Sequence, residues 1–162
     1  IRYPERIRKL VLCCTSPGGA GGASYPLHTL IGMNPEAEAR LMIPISDIRH
    51  DAAWQAANPD IYKVMFDLRT SDPWAGEPRR AMGAELQLLA RRDLDTWNRL
   101  PSITAPTLIC GGLYDGIALP ETQQRMAERI PNAQLRMFEG GHMFLIQDRA
   151  AFPAISGFLK DQ

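Results

Sequence analysis

The sequence predicts an α/β protein with about three parallel strands, flanking helices and a helical insertion. Two predicted strands, at residues 107–110 and 134–139, are each followed by a glycine pair and by an ionisable side chain. Residues 120–130 between them have helical spacing. A strand, a helix and a strand in this order form a right-handed parallel crossover. A continuous apolar run at residues 10–15 is predicted to supply a third strand of the same sheet.

The first strand is predicted at residues 7–15, where basic residues lead into a continuous apolar run. Continuous hydrophobicity, rather than alternation, is typical of a strand that is covered on both faces. The glycine-rich residues 16–24 follow as a flexible loop, which fits neither the Walker spacing nor a dinucleotide fingerprint. We therefore interpret residues 1–24 as a core strand and a hinge.

Residues 25–100 are predicted to form a helical insertion. Helices are expected to begin at Asn34, at Ser46 and at Asn58, where residues that favour helix starts precede apolar residues at helical spacing. The aromatic and methionine side chains of this segment are candidates for lining a substrate pocket. Residues 101–162 then return the chain to the core and complete it.

The length and composition are typical of a globular protein with one hydrophobic core. It has 162 residues, and its 18 Lys and Arg residues balance its 18 Asp and Glu residues, so the formal charge is zero. Because there is no basic excess, neither a nucleic-acid partner nor a membrane-surface role is expected. No apolar run approaches the roughly 20 residues of a membrane span, and no secretory signal is recognised, so we predict a cytoplasmic protein.

All three cysteines, Cys13, Cys14 and Cys110, lie in predicted strands. Their odd number and their spacing fit neither a disulfide framework nor a metal site. We interpret them as reduced, buried and structural, which also fits the cytosol. The sequence therefore predicts no metal and no other cofactor.

Asp115 and His142 are the candidate catalytic residues. They lie 27 positions apart, on loops that follow successive predicted strands. The carboxyl ends of parallel strands meet at one edge of a sheet, where ligands bind in open α/β sheets. A histidine there can take a proton from a hydroxyl or a thiol, while a neighbouring carboxylate fixes its tautomer and stabilises the imidazolium. Either residue alone would fit a turn or a cap, but the pair at adjacent strand ends favours catalysis.

The chain resembles the C-terminal part of an α/β-hydrolase-fold protein. Residues 105–115, with the letters APTLICGGLYD, resemble the strand and loop that carry the triad acid in that family. Residues 138–142, with the letters FEGGH, resemble the last strand and the triad histidine. Residues 3–12 resemble the sixth strand and the helix end before it, and residues 152–159 resemble the closing helix. The resemblance implies that the segment at residues 25–100 is the lid.

The resemblance also implies hydrolysis of an ester or similar acyl bond by a Ser-Asp-His triad. Asp115 and His142 match the acid and the histidine, whereas no Gly-x-Ser-x-Gly occurs in the chain. Ser16 precedes a proline and Ser24 precedes a tyrosine, and neither follows a strand and opens a helix as a nucleophile elbow requires. The nucleophile is therefore expected outside this chain, which alone is expected to be nearly inactive. The expected substrate is a small apolar or mixed molecule.

Two alternatives stay open at this point. The chain could be a non-catalytic fragment or scaffold that binds a second copy, or a missing N-terminal half, through an open sheet edge. Residues 10–15 are the expected edge, because in the family this strand adjoins the half that carries the nucleophile. The second alternative is a lid-bearing relative that uses the same fold for halide, peroxide or lyase chemistry.

Overall fold

Strands and helices are described over residues 1–160 in the computed structural model of the protein. The strands in this range are β1 (Leu10–Cys13), β2 (Thr107–Gly112) and β3 (Ala133–Phe138). The α-helices in the same range are α1 (Pro35–Ser46), α2 (Ala52–Ala57), α3 (Pro59–Thr70), α4 (Arg80–Arg92), α5 (Pro120–Arg129), α6 (Phe144–Gln147) and α7 (Ala151–Lys160). Short 3-10 helices occur at Pro4–Arg6, Gly19–Gly21, Leu27–Leu30 and Trp97–Ser102.

The strands form one parallel sheet in the order β1-β2-β3. Thr107 at the start of β2 pairs with Leu10 of β1 on one side and with Ala133 of β3 on the other. β2 is therefore the central strand, and each of its residues is buried. The predicted α/β class, with about three parallel strands and flanking helices, is confirmed.

Helices cover both faces of the sheet. Successive side chains of β2 point to opposite faces, so they enter two separate core clusters. The cluster on the first face contains Leu108, Cys110, Phe138, Phe144 and Ala151. The cluster on the second face contains Leu100, Ile109, Met126 and Ile130. Burial on both sides explains why the apolar residues of β2 run continuously along the sequence.

The boundaries of all three strands differ from the prediction, and β3 is shifted by one residue, to Ala133–Phe138 instead of residues 134–139. β1 ends at Cys13 rather than at residue 15, because Cys14 adopts a left-handed φ of 46° and leaves the strand. β2 continues through Gly111 and Gly112, which were predicted to break it, and both glycines pair with β3. Neither position has room for a side chain, because a Cβ at Gly111 would meet the Gln123 side chain of α5 and a Cβ at Gly112 would meet backbone of the loop after β3.

The predicted helix starts are confirmed at Asn34 and wrong at Ser46. The Asn34 side chain accepts a hydrogen bond from the Glu36 N–H at 3.0 Å and caps α1. Ser46 ends α1 instead of beginning a new helix. The next helix, α2, begins later because Asp51 provides its cap, accepting from the Trp54 N–H at 2.8 Å.

The segment at residues 25–100 contains α1 to α4. α3 begins directly after Asn58, as predicted, although the Asn58 side chain bonds the Trp54 carbonyl instead of capping the new helix. The division at residues 24 and 100, and the assignment of the middle segment as a lid, stay predictions. None of the helices within residues 1–160 is both long and apolar enough to cross a membrane.

Candidate active site

Asp115 and His142 lie together at the carboxyl edge of the sheet. Asp115 lies in the loop after β2, and His142 lies between β3 and α6. The Asp115 Oδ2 and His142 Nδ1 atoms are 2.9 Å apart. The Asp115 side chain is fully buried, whereas 30% of the His142 side chain is exposed. The two sequence-predicted residues are therefore in direct contact, and one of them remains open to solvent.

Backbone N–H groups hold the Asp115 carboxylate in this orientation. Its Oδ1 atom accepts hydrogen bonds from the N–H groups of Ile117 at 2.8 Å and Ala118 at 2.9 Å. Its Oδ2 atom is thereby directed at the imidazole of His142. An ionised carboxylate accepts from Nδ1–H, which leaves Nε2 with a lone pair for a proton. The pair can therefore act as a general base towards a hydroxyl or thiol placed at Nε2.

The C-terminal end of α1 bonds to both loops of the pair. The Ser46 carbonyl accepts from the His142 N–H at 2.6 Å, and the Ile45 carbonyl accepts from the Gly116 N–H at 3.0 Å. Carbonyl groups in the last turn of a helix lack partners within the helix, so these bonds satisfy them. α1 therefore fixes the loop after β2 relative to the loop after β3.

Asp47 anchors a charged network next to the His142 loop. Its carboxylate is only 2% exposed and accepts from Arg49 Nε at 2.9 Å, Arg49 Nη2 at 2.7 Å and Gln147 Nε2 at 2.9 Å. Gln147 Oε1 in turn accepts from the Gly141 N–H at 2.9 Å. Burial alone would raise the pKa of Asp47, but the hydrogen bonds from Arg49 and Gln147 outweigh it and hold the pKa below its usual value. A buried, ionised carboxylate thus supports the backbone just before His142.

Cys14 lies beside the pair. The predicted full burial is wrong for this cysteine, whereas its structural role stays a prediction. It is half-buried, and its Sγ donates to the His142 carbonyl oxygen at 3.1 Å. Burial and the charge of Asp115 raise the pKa of the Cys14 thiol well above its usual value, so the thiol stays protonated at neutral pH. The protonated thiol is a poor nucleophile, but it contacts the histidine loop directly.

Sequence reasoning missed both Asp47 and Cys14, for different reasons. Cys14 follows a strand of the same parallel sheet, so the rule that points to Asp115 and His142 also points to it. Asp47 has no comparable signal. Its partner Gln147 lies 100 positions away, and a contact at that separation leaves no spacing pattern in the sequence.

A cavity of about 370 Å³ opens beside the pair and is bounded in part by Cys14 and His142. Its other lining residues include Ser24, Tyr25, Leu27, His28, Arg91, Arg92 and Leu94, with no Asp or Glu among them. Arg91 Nη2 donates to the Ser24 hydroxyl at 2.7 Å. Within residues 1–160 Arg91 has no carboxylate partner, whereas Arg92 pairs with Asp93 at 3.0 Å. The cavity therefore combines apolar side chains with an arginine that has no acidic partner in the described chain.

Gly112 allows the two loops of the pair to approach each other. A Cβ atom at this position would lie 2.1 Å from the Gly141 carbonyl oxygen and 2.4 Å from the Gly140 carbonyl oxygen. These are backbone atoms, so Gly112→Ala must force the acid loop and the histidine loop apart. We expect this substitution to lower the free energy of unfolding by about 1–3 kcal/mol, measured by urea denaturation.

Gly83→Ala is the matched control for Gly112→Ala. Gly83 lies within α4, and no atom lies within 4 Å of its added Cβ. An alanine there is expected to raise the free energy of unfolding by about 0.5–1 kcal/mol, because glycine loses more conformational freedom in a helix. Equal urea midpoints for Gly112→Ala and Gly83→Ala would contradict the steric clash expected at position 112.

No protein-family model matches the chain. It is 32% identical over 165 residues to a poly(3-hydroxyalkanoate) depolymerase from Ectopseudomonas oleovorans, an alignment that covers 99% of this chain and 55% of the relative. It is 26% identical over 175 residues to a 2-hydroxymuconate semialdehyde hydrolase from Pseudomonas sp. strain CF600, covering 97% of this chain and 54% of the relative. The chain thus spans little more than half the length of these relatives.

Solved structures show the same fold. The enol-lactonase from Burkholderia xenovorans LB400 superimposes with a TM-score of 0.74 at 21% identity, covering 99% of this chain and 59% of that one. MGS-M2, an alpha/beta hydrolase enzyme from a Medee basin deep-sea metagenome library, superimposes with a TM-score of 0.67 at 20% identity and the same coverage. At these identities the likeness establishes the fold and leaves the chemistry to the residues of the site.

Proposed function

Because this chain belongs to the α/β-hydrolase fold superfamily, we propose that it supplies the acid and the histidine of a Ser-Asp-His triad. The reaction is hydrolysis of an ester or similar acyl bond. The observation that carries the proposal is the 2.9 Å contact between Asp115 Oδ2 and His142 Nδ1 at the carboxyl edge of the sheet. The nucleophile is proposed to lie on a Gly-x-Ser-x-Gly segment outside these residues.

In this proposal His142 moves the protons of both half-reactions. Nε2 takes the proton of the nucleophile's hydroxyl as its oxygen attacks the acyl carbon, and Asp115 stabilises the imidazolium that forms. The same proton then passes to the leaving alcohol, which departs and leaves an acyl-enzyme. Water attacks this intermediate while His142 takes its proton, and the returning proton restores the nucleophile as the acid is released.

The test is covalent labelling of the nucleophile. A fluorophosphonate probe is added to the form of the protein that carries these residues together with a Gly-x-Ser-x-Gly segment, and the labelled residue is identified by mass spectrometry. We expect label on the serine of that segment and its loss in His142→Ala. Labelling that is unchanged in His142→Ala would contradict the proposed role of this chain.

The substrate proposed for this site is a mixed acyl compound with an apolar body and an anionic end. Leu27 and Leu94 supply apolar surface in the cavity beside His142, and Arg91 supplies a positive charge without a carboxylate partner in the described chain. A cavity of about 370 Å³ lies at the lower end of the range for small-molecule sites. A small molecule of mixed polarity fits these properties better than a uniformly apolar one.

Arg91→Gln is expected to reduce the preference for anionic substrates. We expect kcat/KM for a p-nitrophenyl monoester of a dicarboxylic acid to fall by about threefold to tenfold, since the arginine is solvent-exposed. The rate for the uncharged ester of similar length should change little. Arg80→Gln is the matched control, because Arg80 lies on the same helix, pairs with Asp72 and does not line the cavity. Equal losses for both esters would contradict this use of Arg91.

A second candidate function is a scaffold that pairs through the edge of the sheet. β1 pairs with β2 alone among the described strands, and its residues Leu10–Cys13 carry no charge. The opposite edge strand, β3, contains the exposed Arg136. A charged side chain on an edge strand disfavours pairing with a strand of another chain. The occupant of the β1 edge is proposed to be a second copy of the chain or the segment that carries the nucleophile. A monomer at high concentration in analytical ultracentrifugation would contradict self-pairing.

A further inference from the structure

Three potential metal ligands from three different strand ends converge beside the cavity. A sulfur of Cys14, a carboxylate oxygen of Asp115 and a ring nitrogen of His142 all lie within 4.8 Å of one another. Cys14 follows β1, Asp115 follows β2 and His142 follows β3, so the parallel sheet itself assembles the group. We propose that this cluster binds a thiophilic divalent cation of the zinc and cadmium class.

The donor set selects the class of cation. Thiolate, imidazole and carboxylate together are typical of zinc sites, whereas magnesium and calcium prefer sites made of oxygen ligands. Metal–ligand distances of about 2.0–2.3 Å put neighbouring ligands of a tetrahedral site roughly 3.3–3.8 Å apart. The observed separations of at most 4.8 Å can therefore be closed by small side-chain rotations. Because His142 borders the cavity, water can fill the fourth position.

Charge compensation also favours a divalent cation at this place. Binding forms bonds from the metal to the sulfur, the carboxylate oxygen and the imidazole nitrogen, and it releases the thiol proton of Cys14 to solvent. The cation, the thiolate and the carboxylate of Asp115 then sum to zero charge. A neutral group is far less costly to hold in a buried site than an isolated ion. The hydrogen bond from the Cys14 thiol to the His142 carbonyl is exchanged for the metal bond.

A cation held here would occupy the groups that the proposed function uses. With Asp115 and His142 bound to metal, the imidazole can no longer be oriented to accept a proton from a nucleophile. The cation is therefore expected to inhibit hydrolysis, and a chelator is expected to restore it. This consequence rests on the proposed function, whereas the binding site itself does not.

Cadmium titration of the 162-residue chain tests the site without any hydrolysis. We expect one equivalent of Cd²⁺ to produce the ultraviolet charge-transfer absorption of a cadmium–thiolate bond, with the affinity measured by isothermal titration calorimetry. In Cys14→Ser the absorption should disappear, and the affinity should fall by more than about 100-fold, beyond the 10–100-fold cost of losing an outer-shell partner. His142→Ala should weaken binding comparably while keeping part of the absorption, since the thiol remains.

Two neighbouring residues provide matched controls. Cys13 adjoins Cys14 in the chain, but it does not belong to the group of ligand atoms that lie within 4.8 Å of one another, so Cys13→Ser should keep binding. His28 lines the same cavity but does not belong to the ligand group, so His28→Ala should also keep binding. Circular dichroism shows which variants are folded, and His142→Ala still tests the site if Cys14→Ser does not fold.

Unchanged cadmium affinity in folded Cys14→Ser or folded His142→Ala would overturn the proposal. Loss of binding in Cys13→Ser with retention in Cys14→Ser would overturn it as well, because the sulfur ligand would then be the wrong cysteine. Binding in the chain together with absent hydrolysis in the nucleophile-bearing protein would leave the metal site standing and refute the proposed function. The two proposals therefore fail by different measurements.

Discussion

Replacing His142 with alanine is expected to lower kcat/KM for a p-nitrophenyl ester by at least about 10⁴-fold in the protein that also carries the nucleophile. In the proposed mechanism the imidazole takes the proton of the nucleophile and protonates the leaving alcohol, so its removal eliminates both steps. Triad members act as a unit, so the loss of one removes most of the rate that all of them provide together. The measurement is steady-state hydrolysis of a short-chain aryl ester.

Asp115→Asn is expected to lower the rate by a comparable factor, about 10⁴-fold, although the shape of the side chain is retained. Oδ1 of Asp115 is held by the N–H groups of Ile117 and Ala118. An amide would therefore present either its oxygen or its NH₂ group to His142, and it could not stabilise an imidazolium in the same way.

His28→Ala is the matched control for both variants. His28 lines the same cavity but has no contact with Asp115 among the described hydrogen bonds. We expect it to keep kcat within about threefold of the unchanged protein, since it transfers no proton in the reaction, whereas KM can change because His28 lines the cavity. Comparable losses in His28→Ala and His142→Ala would contradict the assignment of His142 as the base.

Asp47→Ala is expected to lower the free energy of unfolding by about 3 kcal/mol, because it removes one partner of a buried ion pair and leaves the other charge uncompensated. The substitution removes the acceptor for two hydrogen bonds from Arg49 and one from Gln147. Gln147 also holds the Gly141 N–H, so the backbone before His142 loses support. For a chain of this size, the loss corresponds to a decrease in Tm of roughly 6–12 °C.

The same carboxylate predicts how stability depends on pH. The pKa of Asp47 is lower in the folded state than in the unfolded state, so the unfolded chain takes up a proton first as the pH falls. The stabilisation is therefore fully present above the unfolded pKa of about 4 and is lost as the pH falls through the folded pKa. As the pH falls below 5, the urea midpoint of Asp47→Ala should therefore decrease by less than the urea midpoint of the unchanged protein.

Asp67→Ala is the control for Asp47→Ala. Asp67 forms an ion pair with Lys63 at 2.5 Å, but its side chain is 57% exposed. Removing an exposed pair within one helix is expected to change the free energy of unfolding by less than about 0.5 kcal/mol. A loss for Asp47→Ala as small as that for Asp67→Ala would refute the role of the buried network.

The parts of the site that could be predicted depend on local rules. The continuous apolar run of β2 and the glycine pairs at residues 111–112 and 140–141 locate the loops of Asp115 and His142, because parallel strand ends meet at one edge. The geometry then follows from the sheet order, in which the strand before Asp115 adjoins the strand before His142. The sequence therefore contains enough information to bring these two residues together.

The remaining features depend on contacts between distant segments. Ser46 was expected to begin a helix, yet it ends α1 and accepts the His142 N–H. The neighbouring Asp47 turns its side chain towards Arg49 and Gln147 instead of capping a helix. Capping preferences describe what an acidic residue does near its own backbone. They do not describe which distant side chains the folded structure brings close to that residue. The network around Asp47 was therefore not predictable from the sequence alone.

The most direct test is p-nitrophenyl acetate hydrolysis by the 162-residue chain, measured alone and then with the Gly-x-Ser-x-Gly segment present. We predict no turnover above the buffer rate for the chain alone, and turnover that His142→Ala abolishes when the segment is present. Turnover by the chain alone that Cys14→Ser abolishes would contradict the account, because the nucleophile would then lie within these residues. Turnover with the segment present that His142→Ala leaves unchanged would contradict it equally.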